Sequence, residues 1–195
     1  MNNRVLVFPP ELTLTLRQLG GSQIHQDRSS ADLSSAALAA SVEALAKEGF
    51  QPEIVSPSAI ADLDQAITPL ACAVMEASLD LDWRETGGTL PTREAGLSMG
   101  ISLAALADRF DARTGVFICL RDRQVSMMQS LGEQTAELGF GIEFDFDRPR
   151  LMVGAFDLAT GQLLWARAAH GELFRSPDRA ARSVSELIAR AELRS

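Results

Sequence analysis

The 195-residue chain has no apolar run near the roughly 18 residues that a membrane-spanning helix needs, which excludes such a helix. It holds two cysteines and two histidines, far apart, so no zinc-ligand spacing exists. No Gly-x-Gly-x-x-Gly or Walker pattern occurs in strand-to-helix context, and no Gly-x-Ser-x-Gly elbow is present, which argues against nucleotide binding and serine hydrolysis. There is no block of five like charges, no internal repeat and no low-complexity tail. Basic residues are in deficit: 18 Lys and Arg face 26 Asp and Glu, for a net charge of −8. That balance disfavours nucleic acid and anionic lipid surfaces.

What remains is ordinary globular material, 46% hydrophobic and 23% charged. It is enough for a core without a metal or a covalent staple. Cys72 and Cys119 both stand in apolar stretches. They read as two buried thiols behaving as small hydrophobes, since a bridge depends on geometry that sequence does not supply. The opening segment Met1 to Pro10 is too short, and too soon broken by proline, for a signal-peptide core. The chain is accordingly expected to be cytosolic, or a processed form of something exported.

Periodicity predicts the elements. Arg4 to Phe8 reads as a buried strand stopped by Pro9-Pro10, and Leu12, Leu14 and Leu16 as a short second extended piece. Gly20-Gly21 opens a polar loop reaching Arg28, and Ser29 or Ser30 caps an alanine-rich helix stopped at Gly49. Glu53 to Ser56 reads as a strand. Ile60, Leu63, Ile67, Leu70, Val74, Ala77 and Leu81 form an apolar stripe with helical spacing, and Pro69 predicts a bend near Thr68. A helix is expected from Pro91 to about Asp108, with Gly96 and Gly100 one turn apart. Thr114 to Leu120 is the best central strand, followed by a helix over 124–138.

Phe140, Ile142, Phe144 and Phe146 alternate with acidic residues and Gly141, giving a strand. Arg150 to Leu158 and Gln162 to Ala169 read as a hairpin turning at Ala159-Thr160-Gly161, and Ser176-Pro177 opens a last helix to about Leu193. The sum is one domain over 1–195 of α/β (or α+β) class. A mixed β-sheet packs against helices, with a C-terminal β-hairpin followed by a helix.

Three stretches carry a resemblance: Val5 to Pro10 followed by a loop and an alanine-rich helix; Leu90-Pro91-Thr92 with Ser98-Met99-Gly100; and Met152 to Trp165, a strand ending in Asp157, a Thr-Gly turn and a strand reaching Trp165. The set resembles a family of uncharacterised bacterial lipoproteins. The last stretch is similar to the periplasmic domain of curli-secretion-type assembly lipoproteins. The resemblance implies an exported, lipid-anchored envelope protein that faces the periplasm or outer membrane and works by contact with other envelope proteins. No cysteine stands near the start of this chain. A lipid anchor upstream of Met1, or a cytoplasmic protein starting at Met1, both stay open.

Asp157 and His170 fall on the two hairpin arms, without a nucleophile elbow to join them. Glu143, Asp145 and Asp147 share one strand face and are the candidate cation ligands, although a straight strand spreads such carboxylates about 7 Å apart. A solvated face is the plainer reading. Trp165 reads as core with an N–H needing a partner. Trp83, Met127 and Met128 are the candidate contact residues, and Arg179 and Arg182 are expected on a solvated helix side. No catalytic residue and no cofactor is expected. The leading expectation is a non-catalytic envelope domain that binds other proteins, itself included, through an open sheet edge or part of the Ile60 to Leu81 stripe. The alternative is a small-molecule or metal-binding protein, with hydrolytic activity conceivable, using a cleft beside residues 143–147.

Overall fold

A computed structural model describes residues 3–17, 23–25, 27–56, 58–59, 67–86, 97–100, 103–125, 150–170 and 176–191. Seven strands form one mixed sheet: β1 (Arg4–Val7), β2 (Glu11–Arg17), β3 (Gln23–His25), β4 (Gln51–Ile54), β5 (Thr114–Val125), β6 (Arg150–Asp157) and β7 (Leu163–His170). The described helices are α1 (Asp27–Lys47), α2 (Ile67–Thr86), α3 (Ala104–Phe110) and α4 (Pro177–Ala189).

β5 is the axis of the sheet, as its apolar run predicted. On one side β1 pairs parallel with Thr114 to Val116, and β2 pairs parallel with Cys119 to Val125. The two are one column interrupted at Pro9-Pro10, where two residues without an N–H cannot continue the ladder. β4 lies parallel outside β1 and β3 antiparallel outside β2. On the other side β6 runs antiparallel to β5, and β7 antiparallel to β6.

The central strands are buried on both faces, and alternate residues feed two cores. Val5, Val7, Val116, Ile118, Leu120, Leu151 and Val153 meet α1 and α4. Leu6, Phe8, Phe117, Cys119, Met152 and Phe156 meet α2 and α3. Phe8 stacks on Phe117 with ring centroids 4.1 Å apart, and Phe117 meets Phe156 edge-on at 5.3 Å. On the opposite face the alanine-rich α1 packs on α4 through Ala37, Ala40 and Ala44 against Ala180, Val184 and Leu187, the close approach expected of small side chains.

Several elements depart from expectation. β3 and the first turn of α1 occupy part of the expected polar loop, because β3 finds its partner in β2. β4 begins at Gln51, two residues early. Gly49 at φ +86° turns the chain out of α1, and the Gln51 N–H donates to the Asn3 carbonyl at 2.9 Å, placing Pro52 on an outer strand where it is tolerated. α2 starts at Ile67, so Pro69 falls in its first turn. The first-turn N–H groups have no intrahelical acceptor, so proline needs no bend there. Residues 60–66 lie outside the described part.

The helix expected from Pro91 is not what residues 97–100 form. Leu163 N–H donates to the Leu97 carbonyl (2.8 Å) and Met99 N–H to the Gly161 carbonyl (2.9 Å), and Gly100 is left-handed at φ +70°. Pairing with the hairpin overrides the local helical spacing, and α3 begins only at Ala104. Gln124 and Val125, expected to open a helix, instead extend β5 along β2. The hairpin stands as read, with Gly161 at φ +70° in the turn, and the last helix opens at Pro177 as read but closes at Ala189, short of Leu193.

Candidate functional site

α2 crosses β5, β6 and β7. Its buried face is Ile67, Ala71, Cys72, Met75, Ser78 and Leu79. This is not the stripe that spacing suggested. Ile67 is shared, but Leu70 and Val74 are only half-buried and Ala77 is exposed. Periodicity finds an apolar stripe, but on a helix apolar on two sides the sheet decides which side is covered. The outward side is apolar up to Met75: Pro69, Ala73 and Ala77 are exposed beside half-buried Leu70 and Val74, and no charged residue occurs from Ile67 to Met75. At its margin Glu76 pairs with Arg121 at 3.4 Å.

Two features seat α2. Gly154 of β6 has no Cβ, and an added one would collide with Met75 Sδ and lie 2.9 Å from the Trp165 carbonyl oxygen. Beside it Cys72 and Cys119 are joined as a disulfide across a Cα–Cα distance of 5.8 Å. The reading of two free buried thiols is corrected here. Both residues are core positions, 0% and 1% exposed. The seating of α2 on β5 brings their Cα atoms within bridging range, a distance between a helix and a strand that neither segment's pattern contains.

The hairpin turn holds a second polar structure. Asp157 is only 7% exposed. Its Oδ1 accepts hydrogen bonds from the N–H groups of Ala159 and Thr160 (both 3.0 Å) and from the Thr160 hydroxyl (3.1 Å), and its Oδ2 accepts from Arg113 Nε at 3.1 Å. Burial works to raise its pKa. The Thr160 N–H, the Arg113 hydrogen bond, the Thr160 hydroxyl and the Arg113 charge together outweigh burial, so the carboxyl sits below its ordinary value. Its lone pairs are committed to holding the turn. His170 is at the opposite end of the hairpin, paired with Arg150. Seven residue-to-residue steps separate the ends of β6, about 23 Å at the usual rise, so Asp157 and His170 do not meet.

Glu143, Asp145, Asp147, Met127 and Met128 lie outside the described residues. Trp83 falls on α2, but its side chain is likewise outside the description. Trp165, read as core, is half-buried against the α1 and α4 layer. Its Nε1 is buried, and among the described residues none accepts from it. Arg179 and Arg182 are exposed on α4 as expected. Among the described residues no three His, Cys, Asp or Glu side chains gather as a metal site. No described helix is long and apolar enough to cross a membrane. Sequence reasoning missed the disulfide and the outward residues Pro69 and Ala73, whereas Leu70, Val74 and Ala77 belong to the expected stripe. Their only traces are two cysteines in apolar context and the uncharged stretch from Ile67 to Met75.

No protein-family model matches the chain, and no curated protein matches it in sequence. Among solved structures it is similar to a PelC dodecamer subunit from Paraburkholderia phytofirmans, with 12% identity, a TM-score of 0.40, and coverage of 96% of this chain and 83% of that one. It is similar to lipoprotein GNA1162 from Neisseria meningitidis, with 14% identity, a TM-score of 0.38, and coverage of 86% and 80%. It is also similar to the LpoB C-terminal domain from Salmonella enterica, with 11% identity, a TM-score of 0.30, and coverage of 86% and 81%. These likenesses all fall below a TM-score of 0.5 and carry no functional assignment.

Proposed function

We propose that this chain is a non-catalytic domain of the cell envelope that works by binding other proteins, copies of itself included. The observation that carries this reading is the outward side of α2, uncharged from Ile67 to Met75: Pro69, Ala73 and Ala77 exposed, Leu70 and Val74 half-covered, on a helix clamped to the sheet by a disulfide. Apolar surface rigidly presented to solvent gains free energy when a partner covers it. The disulfide favours an oxidising compartment such as the periplasm over the reducing cytosol. A non-catalytic role is supported by Asp157, the one buried ionisable side chain among the described residues, whose oxygens are engaged in holding a turn.

Sedimentation of the full chain over a range of concentrations, with and without Ca²⁺, tests the reading. Association that rises with concentration, ignores calcium and is lost in Ala73→Glu supports it. A monomer at every concentration that gains stability from calcium overturns it, and favours a cation site at Glu143, Asp145 and Asp147.

A further inference from the structure

The outer strands of the sheet are guarded unequally. β4 directs the N–H groups of Gln51 and Val55 to the Asn3 and Val7 carbonyls. Successive strand residues point their N–H groups to alternate sides, so Pro52 and Ile54 face outward, and Pro52 has no N–H to offer. β3 spans three residues. β7 differs: it is eight residues long, contains no proline, and pairs with β6 alone among the described strands. Its outer edge is already used at one end. Leu163 N–H donates to the Leu97 carbonyl, and Ser98 forms an antiparallel bridge with Gln162. From Leu164 to His170 no described strand lies on that edge. An open edge of that length is a template for one more strand.

The charge beside this edge is positive, in a chain of net charge −8. β7 contains no acidic residue. Arg167 stands between Trp165 and Ala169, which pack toward α1 and α4, so it takes that side of the sheet. α4 packs on β6 and β7 on the same side. Its exposed Arg179 and Arg182 line a surface depression with Ser183 and Glu186, to which α1 contributes nothing. Glu186 pairs with Arg190, whereas among the described residues no carboxylate pairs with Arg179 or Arg182.

We infer that the outer edge of β7 is a docking site for an extended, acidic segment of another protein, which adds a strand antiparallel to β7. Backbone groups of the segment bond the edge, and its acidic side chains, on alternate residues, meet Arg167, Arg179 and Arg182. Leu164, 37% exposed, gives the incoming strand an apolar contact. A second copy of this chain lacks that complementarity. Two copies paired antiparallel through β7 are related by a two-fold axis perpendicular to the sheet. That axis sets both α4 helices on one side, with their arginines against one another. The inference rests on the protein-binding role proposed above, but uses a surface other than the outward side of α2, which packs on the opposite face.

The test uses the full chain and synthetic peptides of about eight residues, a usual strand length. One alternates valine with glutamate, one carries lysine for glutamate, and one is the acidic peptide interrupted by proline. Binding is read by calorimetry and by amide hydrogen exchange. The valine–glutamate peptide is expected to bind and to slow exchange over residues 164–170, and the other two are not. Arg179→Glu/Arg182→Glu, with an unchanged circular dichroism spectrum, is expected to weaken the acidic peptide at least about tenfold. No binding of the acidic peptide, binding without protection of residues 164–170, or equal binding of the lysine peptide would each overturn the inference. Protection of 164–170 that rises with protein concentration alone would also overturn it, in favour of a second copy. Association through α2 is read separately by sedimentation of Ala73→Glu, so failure here is distinct from failure of the binding role.

Discussion

Met75 of α2 packs its sulfur against Gly154 of β6, in the space that a β-carbon would need. The helix seats as closely as it does because that strand position lacks a side chain. Gly154→Ala forces Met75 aside and sets the new methyl 2.9 Å from the Trp165 carbonyl oxygen, which is backbone and cannot swing away. The expected loss is about 1–3 kcal/mol. Met75→Ala in the same chain recovers part of it, so the double variant is less destabilised than the sum of the singles. A double-mutant cycle from urea unfolding measures the coupling.

Opening the Cys72–Cys119 bond frees a loop with a sequence separation of 47 in the unfolded chain. The chain-entropy model puts the expected cost at about 4 kcal/mol. The Cys72→Ala/Cys119→Ala double variant keeps both positions apolar and should still fold, with a lower urea midpoint that no longer responds to reductant. Under native conditions the wild-type bond should resist reductant until the protein unfolds. Equal midpoints for oxidised and reduced protein would contradict this.

The depressed pKa of Asp157 gives stability a direction in pH. The folded carboxyl holds its proton less tightly than the unfolded one, whose reference value is 3.8. Its contribution is therefore complete above that value and is lost as pH falls through the lower folded pKa. Wild-type protein should lose more stability between about pH 6 and about pH 3 than Asp157→Asn, which cannot ionise. Asp157→Ala, which leaves the turn's N–H donors without their acceptor, should cost about 1–3 kcal/mol at neutral pH.

Neighbouring residues on α2 should behave oppositely. Ala73→Glu places a charge on the outward side and should change stability by no more than about 0.5 kcal/mol while abolishing concentration-dependent sedimentation. Met75→Glu, two residues along and fully buried, should unfold the protein. Circular dichroism separates the two outcomes: folded and dispersed for Ala73→Glu, unfolded for Met75→Glu.

Much of the architecture was legible in local pattern. The apolar run at Thr114 to Leu120 marked the strand with neighbours on both sides. Asp157 to Gly161 marked the hairpin turn, and Ala180, Val184 and Leu187 marked the buried side of the last helix. These are properties of one strand or helix and its own period, and side-chain chemistry determines them within a few residues. The tertiary structure decided the rest. It chose which of two apolar sides of α2 to bury, leaving Ala73 and Ala77 outward. It drew Leu97 to Met99 out of a helical pattern to pair with the hairpin, and it brought Cys72 within 5.8 Å of Cys119. Each is a relation between segments far apart in the chain. A one-dimensional pattern records what a residue prefers, whereas the distance and angle at which a helix settles on a sheet arise only when all the side chains pack at once.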